Sequence, residues 1–204
     1  LKTKEDVDEI MEHLKDKTYK VSSVEIKDRL RNPIAPYTTS KLQQAASTSL
    51  GYNSSKTMQI AQTLYEGVSI AGESTGLITY MRTDSVRISP VAQEQAREFI
   101  KKEYGENYLP TEAPSYSVKK NAQDAHEAIR PTNVFLTPDY VKEYLKSEQY
   151  KLYKLIWERF VSSQMLPAKM KNTRAIIVAG DCEFSVSSSI EIAPTGQQSR
   201  ASLA

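Results

Sequence analysis

Gly76-Leu77-Ile78-Thr79-Tyr80-Met81-Arg82-Thr83-Asp84-Ser85 is the stretch around which the chain is organised. A short apolar run ends in a tyrosine, an arginine follows two residues later, and Thr83, Asp84 and Ser85 close the segment. In an extended backbone, side chains at i and i+2 point the same way. Tyr80, Arg82 and Asp84 are therefore expected in one row. A phenol, a guanidinium and a carboxylate so arranged suit nucleophilic attack on a phosphate. Tyr80 would attack, the planar fork of Arg82 would hold two phosphate oxygens, and Asp84 would orient a partner. Spacing alone favours a plainer reading, a half-buried strand end with a satisfied hydroxyl, because the chain has 12 tyrosines.

The totals bound the problem. A chain of 204 residues makes one or two domains with a real core. A net charge of +2 excludes a strongly basic nucleic-acid coat but leaves room for a local basic groove. The single Cys182 forbids an internal disulfide and fits a reducing compartment. No apolar run approaches the ~20 residues that a membrane span needs. The start, Leu1-Lys2-Thr3, has neither an initiator Met nor a signal pattern, so the chain reads as an excised segment, with a cytoplasmic location expected.

Working outward, Thr3 to Lys15 has a helical period with Thr3 and Asp6 as a capping box. His13 in this helix reads as a solvated surface histidine. Tyr19 to Leu30 reads as a strand whose alternation changes phase at Ser22-Ser23, the mark of a bulge. Pro33 and Pro36 then set a domain boundary. Helices are expected over Thr39 to Leu50, with Gly51 as its C-terminal cap, and over Ser55 to Glu66, with Met58, Ala61, Leu64 and Tyr65 inward. Two short helices around a tight turn fit a helix-turn-helix or an ordinary helical hairpin. Ser89-Pro90 starts a helix to about Tyr104 that buries Val91, Ala92, Phe99 and Ile100. Further helices are expected from Thr137 to about Lys146 and from Tyr150 to Met165. Trp157 on the last is read as core or as a base-stacking platform. Lys169 to Ala179 and Cys182 to Glu191 form a hairpin about Gly180-Asp181, and the strand near residue 20 joins its sheet.

Three segments together carry a resemblance. Gly76 to Ser85 resembles the active-site tyrosine motif of type IA DNA topoisomerases, in the form, with Met81, of the bacterial topoisomerase I branch. Gln123-Asp124-Ala125-His126-Glu127-Ala128-Ile129-Arg130-Pro131-Thr132 matches the family's histidine motif. Thr38 to Ser47 is similar to the helix that precedes the active site, which implies DNA contacts from Ser40 and Gln43. The resemblance covers most of residues 18 to 180. It implies an α+β protein in which a mostly helical, winged-helix-like domain is inserted into a β-rich arch. Its expected parts are residues 1–17 as a junction helix, 18–35 with 134–192 as the arch, 36–133 as the active-site tyrosine domain, and 193–204 as a disordered or vector-derived tail.

The implied chemistry breaks one DNA strand through a 5′-phosphotyrosine link, passes another strand and reseals, relaxing negatively supercoiled DNA. A phenol with an unperturbed pKa near 10 is ionised in only about one molecule per thousand at pH 7, so the attack needs help. Arg82 neutralises charge, and His126 donates to a phosphate oxygen or shuttles a proton. The plainer reading of His126 is a helix-facing histidine paired with Glu127 or Asp124. Asp84 and Thr83 support the site, Asp84 by holding Arg82 or His126. Arg130 tracks the DNA backbone or pairs with Glu127, and Lys119 and Lys120 touch phosphates or are simply solvated. No clustered carboxylates appear, so no metal is expected in this segment. The resemblance places Mg²⁺, a catalytic glutamate and a lysine in a nucleotidyl-transfer domain that is not recognisable here. The expected partners are DNA, preferentially single-stranded, and the nucleotidyl-transfer and toroid domains of the same polypeptide. The competing reading is a helix-turn-helix DNA-binding module without catalysis.

Overall fold

A computed structural model describes residues 3–116 and 126–192. Its helices are α1 (Lys4–Leu14), α2 (Thr39–Leu50), α3 (Ser54–Glu66), α4 (Pro90–Glu103), α5 (Pro138–Val141) and α6 (Ser147–Ser163). Its strands are β1 (Tyr19–Arg31), β2 (Val68–Ile70), β3 (Glu73–Thr75), β4 (Ala168–Ala179) and β5 (Cys182–Ile192). The chain is thus α+β, and it divides into two compact units. Among the described residues, no helix is long and apolar enough to cross a membrane.

The first unit joins α1 and β1 to β4 and β5. The α1 start is the expected capping box: Thr3 Oγ1 accepts the Asp6 N–H, and the Asp6 carboxylate accepts the Thr3 N–H, both at 3.2 Å. The antiparallel sheet has the order β1-β4-β5. Its register slips between Val21 and Ser23, where the alternation changed phase. Every residue of β1 is exposed, so this sheet is a single layer held mainly by its backbone ladder.

The second unit runs from Asn32 to Pro167 and holds the main core. Residues 134–167 belong to it rather than to the β-rich segments with which they were expected. The reason is a side-chain face, not chain continuity. Leu152, Tyr153, Ile156, Trp157 and Phe160 of α6 are buried in the same cluster as Leu42, Leu64 and Phe99. Trp157 meets Phe99 edge-on at 5.3 Å and donates its indole N–H to the Val134 carbonyl at 2.9 Å. It is therefore a core residue with a satisfied polar handle, not an exposed stacking platform. The helix expected from Thr137 is only the short α5 and a following 3₁₀ turn at Lys142–Tyr144. In α4 the inward face is Ala92, Ala96, Phe99 and Ile100, while Val91 points to solvent.

Between α3 and α4 the chain makes the small β2–β3 hairpin and then the Tyr80 segment. Gly76 opens that segment because nothing larger fits: a Cβ there would stand 2.8 Å from the Tyr65 carbonyl oxygen. The Leu77 N–H reaches the Leu64 carbonyl at 2.7 Å, which ties the segment to the end of α3.

Trp157→Ala should destabilise the helical unit by about 3–5 kcal/mol through lost burial and a residual cavity. Urea unfolding followed by far-ultraviolet circular dichroism checks this, and a loss below ~1 kcal/mol would remove α6 from the cooperative core.

Candidate active site

Residues 81–85 alternate strictly: Met81, Thr83 and Ser85 are buried, and Arg82 and Asp84 are exposed. Tyr80 continues the outward row at 44% exposure. The row predicted from i, i+2 spacing is therefore present, although the segment belongs to no sheet. It is extended because hydrogen bonds from both sides hold it.

On one side stands Thr39, the first residue of α2. Its hydroxyl donates to the Met81 carbonyl at 2.7 Å and accepts the Thr83 N–H at 2.8 Å. Its own N–H donates to the Thr83 carbonyl at 2.9 Å. The neighbouring Thr38 caps α2, accepting the Lys41 N–H. A threonine pair at a helix start thus divides its labour, one hydroxyl for the helix and one for the segment passing across it.

On the other side stands the segment after His126. Thr79 repeats the Thr39 arrangement: its hydroxyl donates to the Ala128 carbonyl at 2.7 Å and accepts the Arg130 N–H at 3.0 Å. The Thr79 N–H donates to the Arg130 carbonyl at 2.9 Å. The Ala128 N–H goes to Arg87 and the Ile129 N–H to Tyr37, each at 2.8 Å. Residues 126–132 are consequently extended and bridged, not helical. His126 is not helix-facing, and it makes no ion pair with Glu127 among the described residues.

Arg82, Thr83, Asp84 and His126 line an open groove of about 580 Å³ together with Thr39, Ser40 and Gln43 of α2. Five of the expected site residues, Arg82, Thr83, Asp84, Ser40 and Gln43, are thereby brought together around His126. The N-terminus of α2 lies in the groove wall, where a helix favours negative charge. Tyr80 is not among the lining residues. Its ring packs edge-on against Tyr65 at 5.4 Å and 65°. Tyr65, expected inward, is 41% exposed at the last turn of α3.

The surroundings of Asp84, Thr83 and Arg130 decide among their expected roles. Asp84 forms no ion pair with Arg82 or His126 among the described residues. Like Arg82 it stands in solvent, where an ion pair gains little. Thr83 supports the segment by its backbone and by accepting the Ser85 N–H at 3.0 Å, with its side chain turned inward. Arg130 takes the second of its two expected readings, the pair with Glu127: its Nε and Nη2 donate to Glu127 at 2.8 and 2.5 Å, and its Nη1 donates to the Pro131 carbonyl at 2.9 Å. That guanidinium is mostly buried and its fork is occupied. Lys119, Lys120 and the start of the histidine motif lie outside the described residues. The anchoring roles of Thr39 and Thr79 and the Tyr65 contact with Tyr80 were not foreseen from the sequence, whereas Glu127 had been read as a possible partner of Arg130. Of these, only the Thr38-Thr39 doublet left a readable sign, one hydroxyl more than a cap requires.

The family model described as DNA topoisomerase matches residues 1–195. The full-length topoisomerase I from Thermotoga maritima superposes with a TM-score of 0.75 at 41% identity, over 93% of this chain and 30% of that one. The chain belongs to the DNA topoisomerase family. Within it, the similarity is to the bacterial type IA branch, and the chain spans 30% of the length of the Thermotoga protein.

Thr39→Val removes the hydroxyl at nearly constant shape and leaves the Thr83 N–H and Met81 carbonyl without that partner. A loss of about 1–3 kcal/mol is expected, with Thr39→Ser close to the parent protein. Paired urea midpoints decide it, and equal losses in both variants would mean that the methyl, not the hydroxyl, holds the segment.

Proposed function

We propose that this chain carries the nucleophile of a type IA topoisomerase, with Tyr80 cleaving one DNA strand. The Tyr80 oxygen attacks a backbone phosphorus and loses its proton. The P–O3′ bond breaks, the 3′ oxygen leaves and takes up a proton, and a 5′-phosphotyrosine ester remains. Resealing reverses these steps after another strand has passed, and repeated cycles relax negatively supercoiled DNA. The observation that carries this reading is the outward row of Tyr80, Arg82 and Asp84, whose last two members line a groove with His126 and the start of α2.

Each group has a task its surroundings permit. Arg82 is exposed and has no ion-pair partner among the described residues, so its fork is available to phosphate oxygens. Preorganised charge at the reacting phosphate lowers the barrier by stabilising what develops there. His126 donates to a phosphate oxygen or moves a proton. Ser40 and Gln43 contact the strand laid along α2, and the edge-on Tyr65 ring limits the positions Tyr80 can take.

Magnesium fits poorly here. A Mg²⁺ site takes oxygen ligands in octahedral order, and the groove offers one carboxylate, Asp84, beside an imidazole. We place the ion, and the acid that serves the 3′ oxygen, in a nucleotidyl-transfer domain of a longer polypeptide, so this chain by itself is expected to lack full activity. The substrate is single-stranded DNA, and the working compartment is the bacterial cytoplasm at the nucleoid. A binding module without chemistry is the competing reading, and it draws on α2 and α3 joined around Gly51.

The chain is incubated with a 3′-labelled single-stranded oligonucleotide and Mg²⁺, with and without a nucleotidyl-transfer domain from a type IA relative, and then denatured. Labelled protein is expected only with both pieces, and Tyr80→Phe should abolish it. Label that persists in Tyr80→Phe would move the nucleophile elsewhere. DNA binding without label under any condition would favour the binding module. Arg82→Ala should slow labelling by about 10²–10³-fold while single-strand binding, which weakens steeply with salt, falls far less.

A further inference from the structure

In the first unit, far in sequence from the groove residues, three metal-binding side chains converge. His13 sits in the last turn of α1, Asp181 in the turn between β4 and β5, and Cys182 at the start of β5. The imidazole nitrogen, a carboxylate oxygen and the thiol sulfur all lie within 4.8 Å of one another. His13 Nε2 is 2.6 Å from Asp181 Oδ1, and Cys182 Sγ is 4.0 Å from that same oxygen.

We infer that His13, Asp181 and Cys182 form a binding site for one divalent transition-metal ion of the zinc class. Asp181 and Cys182 are neighbours in sequence, and the long-range element of the cluster is His13, which the fold brings to them from 168 residues away. A sulfur, a nitrogen and an oxygen donor match the borderline-soft ions and are wrong for magnesium or calcium. Around tetrahedral zinc, donors at about 2.0–2.3 Å from the ion stand about 3.5 Å apart. The His13–Asp181 pair must open by under about 1 Å and the thiol must close by a similar amount, movements open to exposed side chains.

The backbone already fixes the three positions. Ala179 pairs with Cys182, so Gly180 and Asp181 form a two-residue hairpin turn. Gly180 takes a φ of 63°, which a side chain would resist. The C-terminal end of α1 supplies the negative pole of its dipole beside His13. Lys17, whose stem lies against Gly180, is a cation near the turn and opposes the binding of a second positive charge. A bound ion would fasten α1 to the tip of the β4–β5 hairpin across 168 residues of sequence.

Cobalt(II) titration of the reduced 204-residue chain tests this, because Cys182 is its single thiol and any thiolate-to-cobalt charge-transfer band must report that residue. A band saturating at one ion per chain is expected, bleached by zinc and untouched by excess magnesium. Cys182→Ser should abolish it, and His13→Ala and Asp181→Asn should each weaken binding by about tenfold or more. Absence of the band at excess cobalt would overturn the site. So would an unchanged midpoint in His13→Ala and Asp181→Asn, which would mean the thiol binds alone, or saturation at half an ion per chain, which would mean two chains share it.

Discussion

Two threonine hydroxyls decide where the Tyr80 segment lies. Thr39 and Thr79 each donate to one carbonyl and accept one N–H of a passing strand. Together they knit the start of α2, residues 79–83 and residues 128–130 into one layer without a regular sheet. Backbone polar groups buried without partners cost free energy comparable to a lost hydrogen bond. A hydroxyl that serves as donor and acceptor at once answers two of those needs in the space of one side chain. The buried Met81 and Ile78 then fix which edge of the strand faces the core, so the outward direction of Tyr80 and Arg82 follows from packing on the opposite edge.

The two arginines of this region show how surroundings divide one residue type into two jobs. Arg130 is mostly buried and spends its fork on Glu127 and the Pro131 carbonyl. A buried charge must be paired and hydrogen-bonded, and this one is. Arg82 stands two residues after an exposed tyrosine, in water, with no ion-pair partner among the described residues. Both belong to motifs that resemble a DNA-processing family, and the motif text left Arg130 open to either phosphate or Glu127. Burial separates them.

Much of the architecture could be read from short-range patterns. The capping box at Thr3 and Asp6, the phase change at Ser22-Ser23, and the outward row at 80–84 are each written within a few residues, and each appears in the structure. Long-range pairing was not legible. Residues 126–132 look free to be helical until their N–H groups are found on Arg87, Tyr37 and Thr79. Residues 134–167 adjoin β4 in sequence yet bury their apolar face against α2, α3 and α4. The exposed Tyr65 looked inward because helical period alone cannot tell a core position from one that packs on a surface aromatic. The groove suffered least, because its residues come from three motifs that the resemblance had already joined.

The alternation at 80–85 means that two texts share one line. Odd-numbered letters, Met81, Thr83 and Ser85, spell the attachment to the core, and even-numbered letters spell what faces outward. Each text can be revised while the other stays legible. A lineage could therefore explore different outward residues at Arg82 or Asp84 without rewriting the anchor, while a single inserted residue would exchange the two texts and spoil both at once.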